Sequence, residues 1–348
     1  LAGGRLRLLI GLHCLGLLAS FLVPSGVVRV LLLMPVGLAL VKALDPQGRD
    51  RLLPAVATLS IVCGTYYGGA GVLTGTVPNL VVAGQLESHT GRVVYWGEWL
   101  RWMFPVLGAL RTLLCVAVIW FLWGRRLLPF STPTTAAGPE PWRPEQRRAL
   151  VLLVAGVCLW ATDVIHGLAP VFVGLGLALV AITPRLGTLR PQSLKQADFP
   201  FFFYLTALFG IGAALDGTGF NDRMVATVIG TLTRTAGSWV DPHLLLTAAA
   251  VPLDFLMDIA AVGAVATPSL LEVGAAAGLG DLASACSVAM ATTVAFLPYQ
   301  SAPFMVILGY RTITPRQLAT TMFVVSSLSL LLLAPLNVLY WRFTGLID

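Results

Sequence analysis

The segment from Gly68 to Asn79 carries the residues best suited to bind a ligand. Four glycines and a proline in twelve residues cannot sustain an α-helix, although the flanking sequence is apolar enough for a membrane. A broken backbone at membrane depth is tolerated only inside protein or beside a cavity. We expect its freed carbonyl groups to bind a cation. The polar groups of Thr74, Thr76 and Asn79 either bind an oxyanion or satisfy the freed backbone groups.

A second interrupted segment lies near the C-terminus, at Pro298–Phe304. Ser301 and Pro303 repeat the spacing of Thr76 and Pro78. The sequence therefore predicts two broken helices that face each other and supply ligands to one site.

An apolar hairpin precedes each broken helix. Leu22–Gly26 interrupts the first hairpin and Phe255–Asp258 the second, with a proline ten residues after both Ser25 and Asp258. Basic residues follow the first hairpin, whereas the loop after the second contains acidic residues and no basic one. By the positive-inside rule, the hairpins enter the membrane from opposite sides, which predicts an inverted repeat with its site at the midplane.

Three charged residues lie within the hairpins. Asp254 and Asp258 are four residues apart, so one of them could carry a proton in place of a bound sodium ion. The alternative is that one caps a helix and the other faces a polar cavity. Arg29 could hold a carboxylate or sulfate through its planar guanidinium. A structural pairing, with Asp258 for instance, or contact with the membrane interface is the favoured interpretation of Arg29.

The composition is that of a membrane protein. Of the 348 residues, 57% are hydrophobic and 11% charged, against about 25% charged in soluble domains. The mean hydropathy is +0.85. We predict an all-α polytopic membrane protein with two re-entrant hairpins and two discontinuous helices. The apolar runs long enough to span are Leu6–Val23, Val27–Leu44, Leu52–Tyr67, Trp102–Trp123, Ala149–Ile165, Leu168–Thr183 and Gln317–Trp341.

The net charge of +6 does not indicate nucleic-acid binding, because the arginines lie in short loops between spans. No histidine has metal-ligand spacing, so no metal site is expected. The arginine-rich segment 124–148 is predicted to be a cytoplasmic linker between a first repeat, 1–123, and a second, 149–348. The chain opens on Leu1, and by comparison with the second repeat the first is expected to be N-terminally incomplete.

The run Gly71–Leu80 resembles the divalent anion:sodium symporter family, which includes the solute carrier 13 transporters. Leu159–Asp163 and Asp198–Gly219 resemble the entry helices of that family's second half. The resemblance implies elevator-type movement, a homodimer, and binding of two sodium ions and the substrate carboxylates by hairpin tips and unwound segments. It places Ser25 and Asp258 at the tips. It places Gly75 and Thr76, and Gln300 and Ser301, in the two unwound segments.

We therefore expect a secondary transporter, not an enzyme, in the inner (plasma) membrane. It would carry a di- or tricarboxylate or sulfate, coupled to sodium or protons and with no other cofactor. The residues expected to bind substrate are Ser25, Gly26, Thr74, Thr76, Pro78, Asn79, Asp258, Ser301 and Pro303. Those expected to bind the cation are Ser25, Gly75, Asp258 and Gln300. Asp254 and Arg29 are candidate partners for a proton or an anion.

Two alternatives stay open at this point. One is a related transporter that handles arsenite or exchanges sodium for protons. The other is an intramembrane hydrolase, because Gly278–Asp281 matches a Gly-x-Gly-Asp motif and Asp281 would be its catalytic residue.

Overall fold

A computed structural model describes residues 2–129, 141–184, 187–196, 217–235 and 241–347, with six positions between 203 and 214. The described residues form helices and turns and no strand, which confirms the predicted all-α fold. The helices are α1 (Ala2–Leu22), α2 (Gly26–Leu44), α3 (Leu53–Cys63), α4 (Val77–Thr90), α5 (Trp96–Leu122), α6 (Pro144–Ala161), α7 (Asp163–His166), α8 (Pro170–Ile182), α9 (Phe220–Thr235), α10 (Pro242–Ala250), α11 (Ile259–Ala276), α12 (Asp281–Thr292), α13 (Ala302–Gly309) and α14 (Pro315–Thr344).

Five helices of the described part are long and apolar enough to cross a membrane. They are Gly4–Leu22, Gly26–Leu44, Trp96–Leu122, Ile259–Ala276 and Pro315–Thr344. The predicted run Leu52–Tyr67 is not one long helix, because α3 gives way at Gly64 to a wider π turn. The run Leu168–Thr183 forms only the 13-residue α8. The run Ala149–Ile165 ends its helix at Ala161.

The first broken segment covers residues 64–76 and is longer on its N-terminal side than the sequence predicts. It consists of a π turn, Gly64–Gly68, followed by two 3₁₀ turns, Gly69–Gly71 and Leu73–Gly75. Pro78 and Asn79 do not belong to it, since α4 already begins at Val77. Proline is tolerated there because the first turn of a helix has no intrahelical partner for its N–H groups.

The two predicted hairpin tips lie between helices. Ser25 caps α2, where its hydroxyl accepts a hydrogen bond from the Val28 N–H. Asp258 caps α11, where its carboxylate accepts one from the Ala260 N–H at 2.8 Å. The predicted interruptions are thus confirmed, and whether the hairpins are re-entrant stays a prediction.

The same order of elements occurs twice. A helix pair with a capped tip is followed by a broken helix and then by a long helix that contains a π turn. The second broken segment covers residues 293–301, between α12 and α13. The π turns are Phe104–Leu110 in α5 and Ser329–Leu333 in α14. The opposite orientation of the two halves in the membrane stays a prediction.

Other predictions are corrected or lie outside the described part. Asp281 is the first residue of α12 rather than part of a loop. The stretch Asp222–Arg234 lies in α9. Residues 130–140 of the predicted linker lie outside the described residues. Most of the segment 198–219, which contributed to the family resemblance, lies outside them as well.

Candidate functional site

One cavity of about 350 Å³ lies where the two halves meet. The N-termini of four helices line it. The lining residues are Ser25–Val28 of α2, Gly75–Pro78 of α4, Asp258–Ala260 of α11, Ser301–Pro303 of α13, and Tyr66. Each helix N-terminus carries a partial positive charge and N–H groups without intrahelical partners. Four of them around one cavity form an environment that favours an anion.

The four N-termini differ in how they are capped. Side chains cap α2 and α11, whereas α4 and α13 have no side-chain cap. Both uncapped helices carry a proline in the first turn, Pro78 and Pro303. The first-turn N–H groups of α4 and α13 that have no side-chain cap are therefore the ones most available to a ligand.

The two halves touch directly beside the cavity. A Cβ atom on Gly26 would lie 2.9 Å from Cγ of Pro303, so only glycine lets α2 approach α13 this closely. On the other side, a Cβ on Gly263 of α11 would lie 3.6 Å from the Pro78 carbonyl oxygen of α4. Each hairpin helix thus packs against the broken helix of the other half.

Arg29 is buried and holds the first broken segment. Its guanidinium donates hydrogen bonds to the carbonyl oxygens of Val23 at 2.6 Å, Thr65 at 3.0 Å and Gly75 at 2.6 Å. The structure therefore places Arg29 in contact with backbone oxygens, which the sequence did not predict as its partners. It also means that the Gly75 carbonyl, predicted to bind a cation, already accepts from a guanidinium.

Arg111 makes a similar contact with the second broken segment. It is buried within α5 and donates to the carbonyl and the hydroxyl oxygens of Thr293, at 3.2 and 3.0 Å. Sequence analysis did not single it out. The sequence could have indicated it, because Arg111 is a charged residue in the middle of a 27-residue helix that is apolar enough to cross a membrane.

Asp254 lies behind the second tip and is fully buried. Both of its carboxylate oxygens lack a hydrogen-bond partner among the described residues. Its backbone carbonyl accepts a hydrogen bond from the side-chain amide of Gln300. Gln300 thus ties the hairpin to the second broken segment and does not line the cavity.

Thr74 and Asn79 do not line the cavity either. The Thr74 hydroxyl accepts a hydrogen bond from the indole N–H of Trp96 at 3.1 Å. The amide nitrogen of Asn79 donates to the carbonyls of Ala70 and Val72, both at 2.9 Å. The Asn79 side chain thus satisfies two carbonyl groups of the broken segment, whereas the Thr74 hydroxyl bonds to another side chain.

The other predicted substrate ligands come together. Those that line the cavity are Ser25, Gly26, Thr76, Pro78, Asp258, Ser301 and Pro303, and Gly75 lies with them. The hydroxyl oxygen of Thr76 is buried and has no hydrogen-bond partner in the described part of the chain. A buried polar atom without a partner favours a ligand at this position.

Tyr66 is a lining residue that sequence analysis did not predict. It lies in the π turn of the first broken segment, and its ring packs edge-on against Phe304, with centroids 4.8 Å apart. The contact joins the two halves, and no local sequence pattern marks it.

A larger cavity of about 570 Å³ lies between α9 and α10. Its lining is mostly apolar, with Arg223, Thr227 and Thr231 as polar exceptions. No two helix N-termini of the described residues line it, so the smaller cavity is the better candidate site.

Comparison with known proteins identifies the family of the chain. Residues 1–295 match the profile of a family described as citrate transporter. A membrane protein of Cupriavidus necator is 24% identical over 97% of this chain and 68% of its own length. A sodium-dependent dicarboxylate transporter of Staphylococcus saprophyticus is 23% identical over 94% of this chain and 68% of its own length. An L-tartrate/succinate antiporter of Escherichia coli is 25% identical over 60% of this chain and 47% of its own length.

These matches confirm the predicted resemblance to the divalent anion:sodium symporters. They also bear out the prediction of a transporter that is a multi-pass membrane protein, and they leave no support for the hydrolase alternative. The chain belongs to the citrate transporter family.

Proposed function

We propose that the chain is a secondary active transporter of a small di- or tricarboxylate, or of sulfate, coupled to sodium or protons. The observation that carries the proposal is the convergence of four helix N-termini on one cavity at the junction of the two halves. Anionic oxygens would accept hydrogen bonds from first-turn N–H groups of α4 and α13. The Ser25 and Ser301 hydroxyls would complete the shell.

The size of the cavity and the relatives support a carboxylate. About 350 Å³ is at the small end of ligand sites and suits a molecule the size of succinate or citrate. Two relatives carry names of dicarboxylate carriers. Elevator-type movement, a homodimer and the inner membrane are part of the proposal and rest on the family resemblance.

Asp254 supports the proton as a coupling ion. A carboxylate without a partner in a buried site is costly, and the protonated form avoids that cost. Among the described residues, the titratable groups that act on Asp254 are Asp258 and Tyr66, and neither is a cation. Its neighbourhood thus favours uptake of a proton when the site is occupied by an anion.

Uptake by proteoliposomes tests the substrate and the coupling ion together. We expect radiolabelled succinate, citrate or sulfate to accumulate under a proton or a sodium gradient. If Asp254 carries the proton, Asp254→Asn loses proton-driven accumulation but still exchanges labelled for unlabelled substrate, because exchange returns a loaded carrier without releasing the proton.

Asp281→Asn is the matched control, since Asp281 lies outside the cavity at the start of α12. It should accumulate substrate like the unchanged protein. Absence of uptake and exchange of all three anions under every gradient would contradict the proposed function. Proton-driven accumulation by Asp254→Asn would contradict the role of Asp254 alone.

A further inference from the structure

We propose that the guanidinium of Arg29 is a tethered cation that permanently fills the cation-binding position of the first broken segment. We call the carbonyl oxygens of Val23, Thr65 and Gly75 the carbonyl cage. The proposal rests on the transport function proposed above for its physiological meaning. Its structural part can be tested without transport.

The carbonyl cage has the composition of a cation site. Its three oxygens come from the end of α1 and from both ends of the first broken segment, and all lie 2.6–3.0 Å from guanidinium nitrogens. In transporters with discontinuous helices, the carbonyl groups that a helix break frees at membrane depth coordinate the coupling cation. Here a side chain of the protein itself takes that position.

The surroundings are shaped for the guanidinium. A Cβ atom on Gly69 would lie 3.2 Å from Nη2 of Arg29, and one on Gly26 would lie 3.7 Å from it. The Ser20 hydroxyl lies 3.1 Å from the same Thr65 carbonyl oxygen and 3.1 Å from that of Gly16, and its single proton can go to either one. Glycines thus leave room for a planar group with several donors, which a lysine ammonium fills less completely.

A fixed charge has a consequence for binding. Gly75 and Gly26 line the cavity, so the guanidinium lies directly behind two of the four helix N-termini. It adds positive charge on the side of the first half without uptake of an ion from solution. Anion binding on this side should therefore not depend on sodium, and any exchangeable coupling ion has to bind in the second half.

Thermal unfolding of the purified full-length chain tests the charge. Arg29→Lys retains a positive charge, whereas Arg29→Gln retains a hydrogen-bond donor without it. We expect Arg29→Lys to unfold at a midpoint below that of the unchanged protein, because the ammonium fills the cage less completely, and Arg29→Gln several degrees lower than Arg29→Lys. Equal midpoints for the two variants would overturn the proposal.

Chemical rescue tests the cage. In Arg29→Ala, millimolar guanidinium chloride should raise the unfolding midpoint, sodium chloride should raise it less, and choline chloride should leave it unchanged. Met34→Ala, a truncation of another buried side chain on α2, is the control and should respond to none of the three. An equal response of Arg29→Ala to guanidinium and choline would overturn the proposal, and if this variant does not fold, the Lys and Gln pair decides.

Transport separates this inference from the proposed function. Arg29→Gln should lose at least about tenfold in succinate uptake, because a hydrogen-bonded charge is removed, and Arg29→Lys should retain most of it. Absence of uptake by the unchanged protein would refute the proposed function, and the unfolding midpoints would then decide the role of Arg29 by themselves.

Discussion

Buried arginines recur at the two broken segments. Arg29 donates to Thr65 and Gly75, and Arg111 donates to Thr293. A broken helix exposes carbonyl oxygens that water cannot reach at membrane depth. Each unsatisfied group costs about 2–7 kcal/mol. A guanidinium has five N–H donors in one plane, so it can satisfy several carbonyls at once. These arginines therefore stabilise the irregular backbone on which the cavity depends.

A charged cluster around Asp241, which lies outside the membrane-spanning segments, gives a pH-dependent prediction. Asp241 caps α10, and its carboxylate contacts Nδ1 of His243 at 2.9 Å and the guanidinium of Arg342 at 2.7 Å. Burial acts to raise the pKa of Asp241, but the hydrogen bonds from His243 and the attraction of Arg342 outweigh it and hold the pKa below its usual value. The ionised carboxylate is thus the form that stabilises the fold.

Because the pKa of Asp241 is lower in the folded than in the unfolded chain, its stabilising contribution is complete above the ordinary aspartate value, about 4. It is lost as the pH falls below that value and through the folded pKa. We expect Asp241→Asn to lower the unfolding midpoint at neutral pH, and the difference from the unchanged protein to shrink in acid. A difference that is constant from pH 7 to the acid limit would contradict this prediction.

At the scale of elements, α1 and α3 pack with their backbones in contact. A Cβ on Gly64 would collide with the His13 carbonyl oxygen, and one on Gly16 would lie 2.7 Å from the Thr65 nitrogen. Small residues allow such an approach between membrane helices, whose association depends on close packing. The approach positions the π turn, and with it Tyr66 and the Thr65 carbonyl.

Gly16→Ala should therefore destabilise the protein, by about 1–3 kcal/mol, because the new methyl group meets backbone atoms that cannot move independently. Gly11→Ala is the control on the same helix, since a Cβ there has no atom within 4 Å. It should be neutral or stabilising by up to about 1 kcal/mol, as expected for a glycine replaced inside a helix. Unfolding in detergent measures both, and equal destabilisation would show that the close approach of α1 and α3 is not what Gly16 provides.

A further element contact joins distant parts of the chain. The carboxylate of Asp163 in α7 accepts hydrogen bonds from the backbone N–H groups of Trp96 and Gly97 and so caps α5. Asp163 is part of the Leu159–Asp163 run that contributed to the family resemblance. Its partner lies 66–67 residues away, and sequence spacing cannot identify such a contact.

At the scale of the whole molecule, the sequence predicts the features that depend on neighbouring residues. It does not predict those that depend on residues far apart in the chain. Local patterns predicted the tips at Ser25 and Asp258, because a capping side chain accepts a hydrogen bond from a backbone N–H only two or three residues further along the chain. The contacts of Arg29, and the hydrogen bond between Thr74 and Trp96, depend on segments that meet only after folding. Hence the sequence predicted both Thr74 and Thr76 as ligands, and the structure brings only Thr76 to the cavity.

The proposed function depends above all on whether the cavity between the two halves holds the transported anion. Two identical substitutions two residues apart test this, with uptake of radiolabelled succinate by proteoliposomes as the measurement. Thr76→Val removes the hydroxyl of a residue that lines the cavity, and Thr74→Val removes a hydroxyl that accepts from Trp96 outside the cavity.

We expect Thr76→Val to lower succinate uptake at least about tenfold, the scale of a lost hydrogen bond to a charged group. Thr74→Val should keep its uptake and lose only about 1 kcal/mol of stability with the Trp96 hydrogen bond. Equal loss of uptake in both variants, or loss in Thr74→Val alone, would contradict the assignment of this cavity as the substrate site.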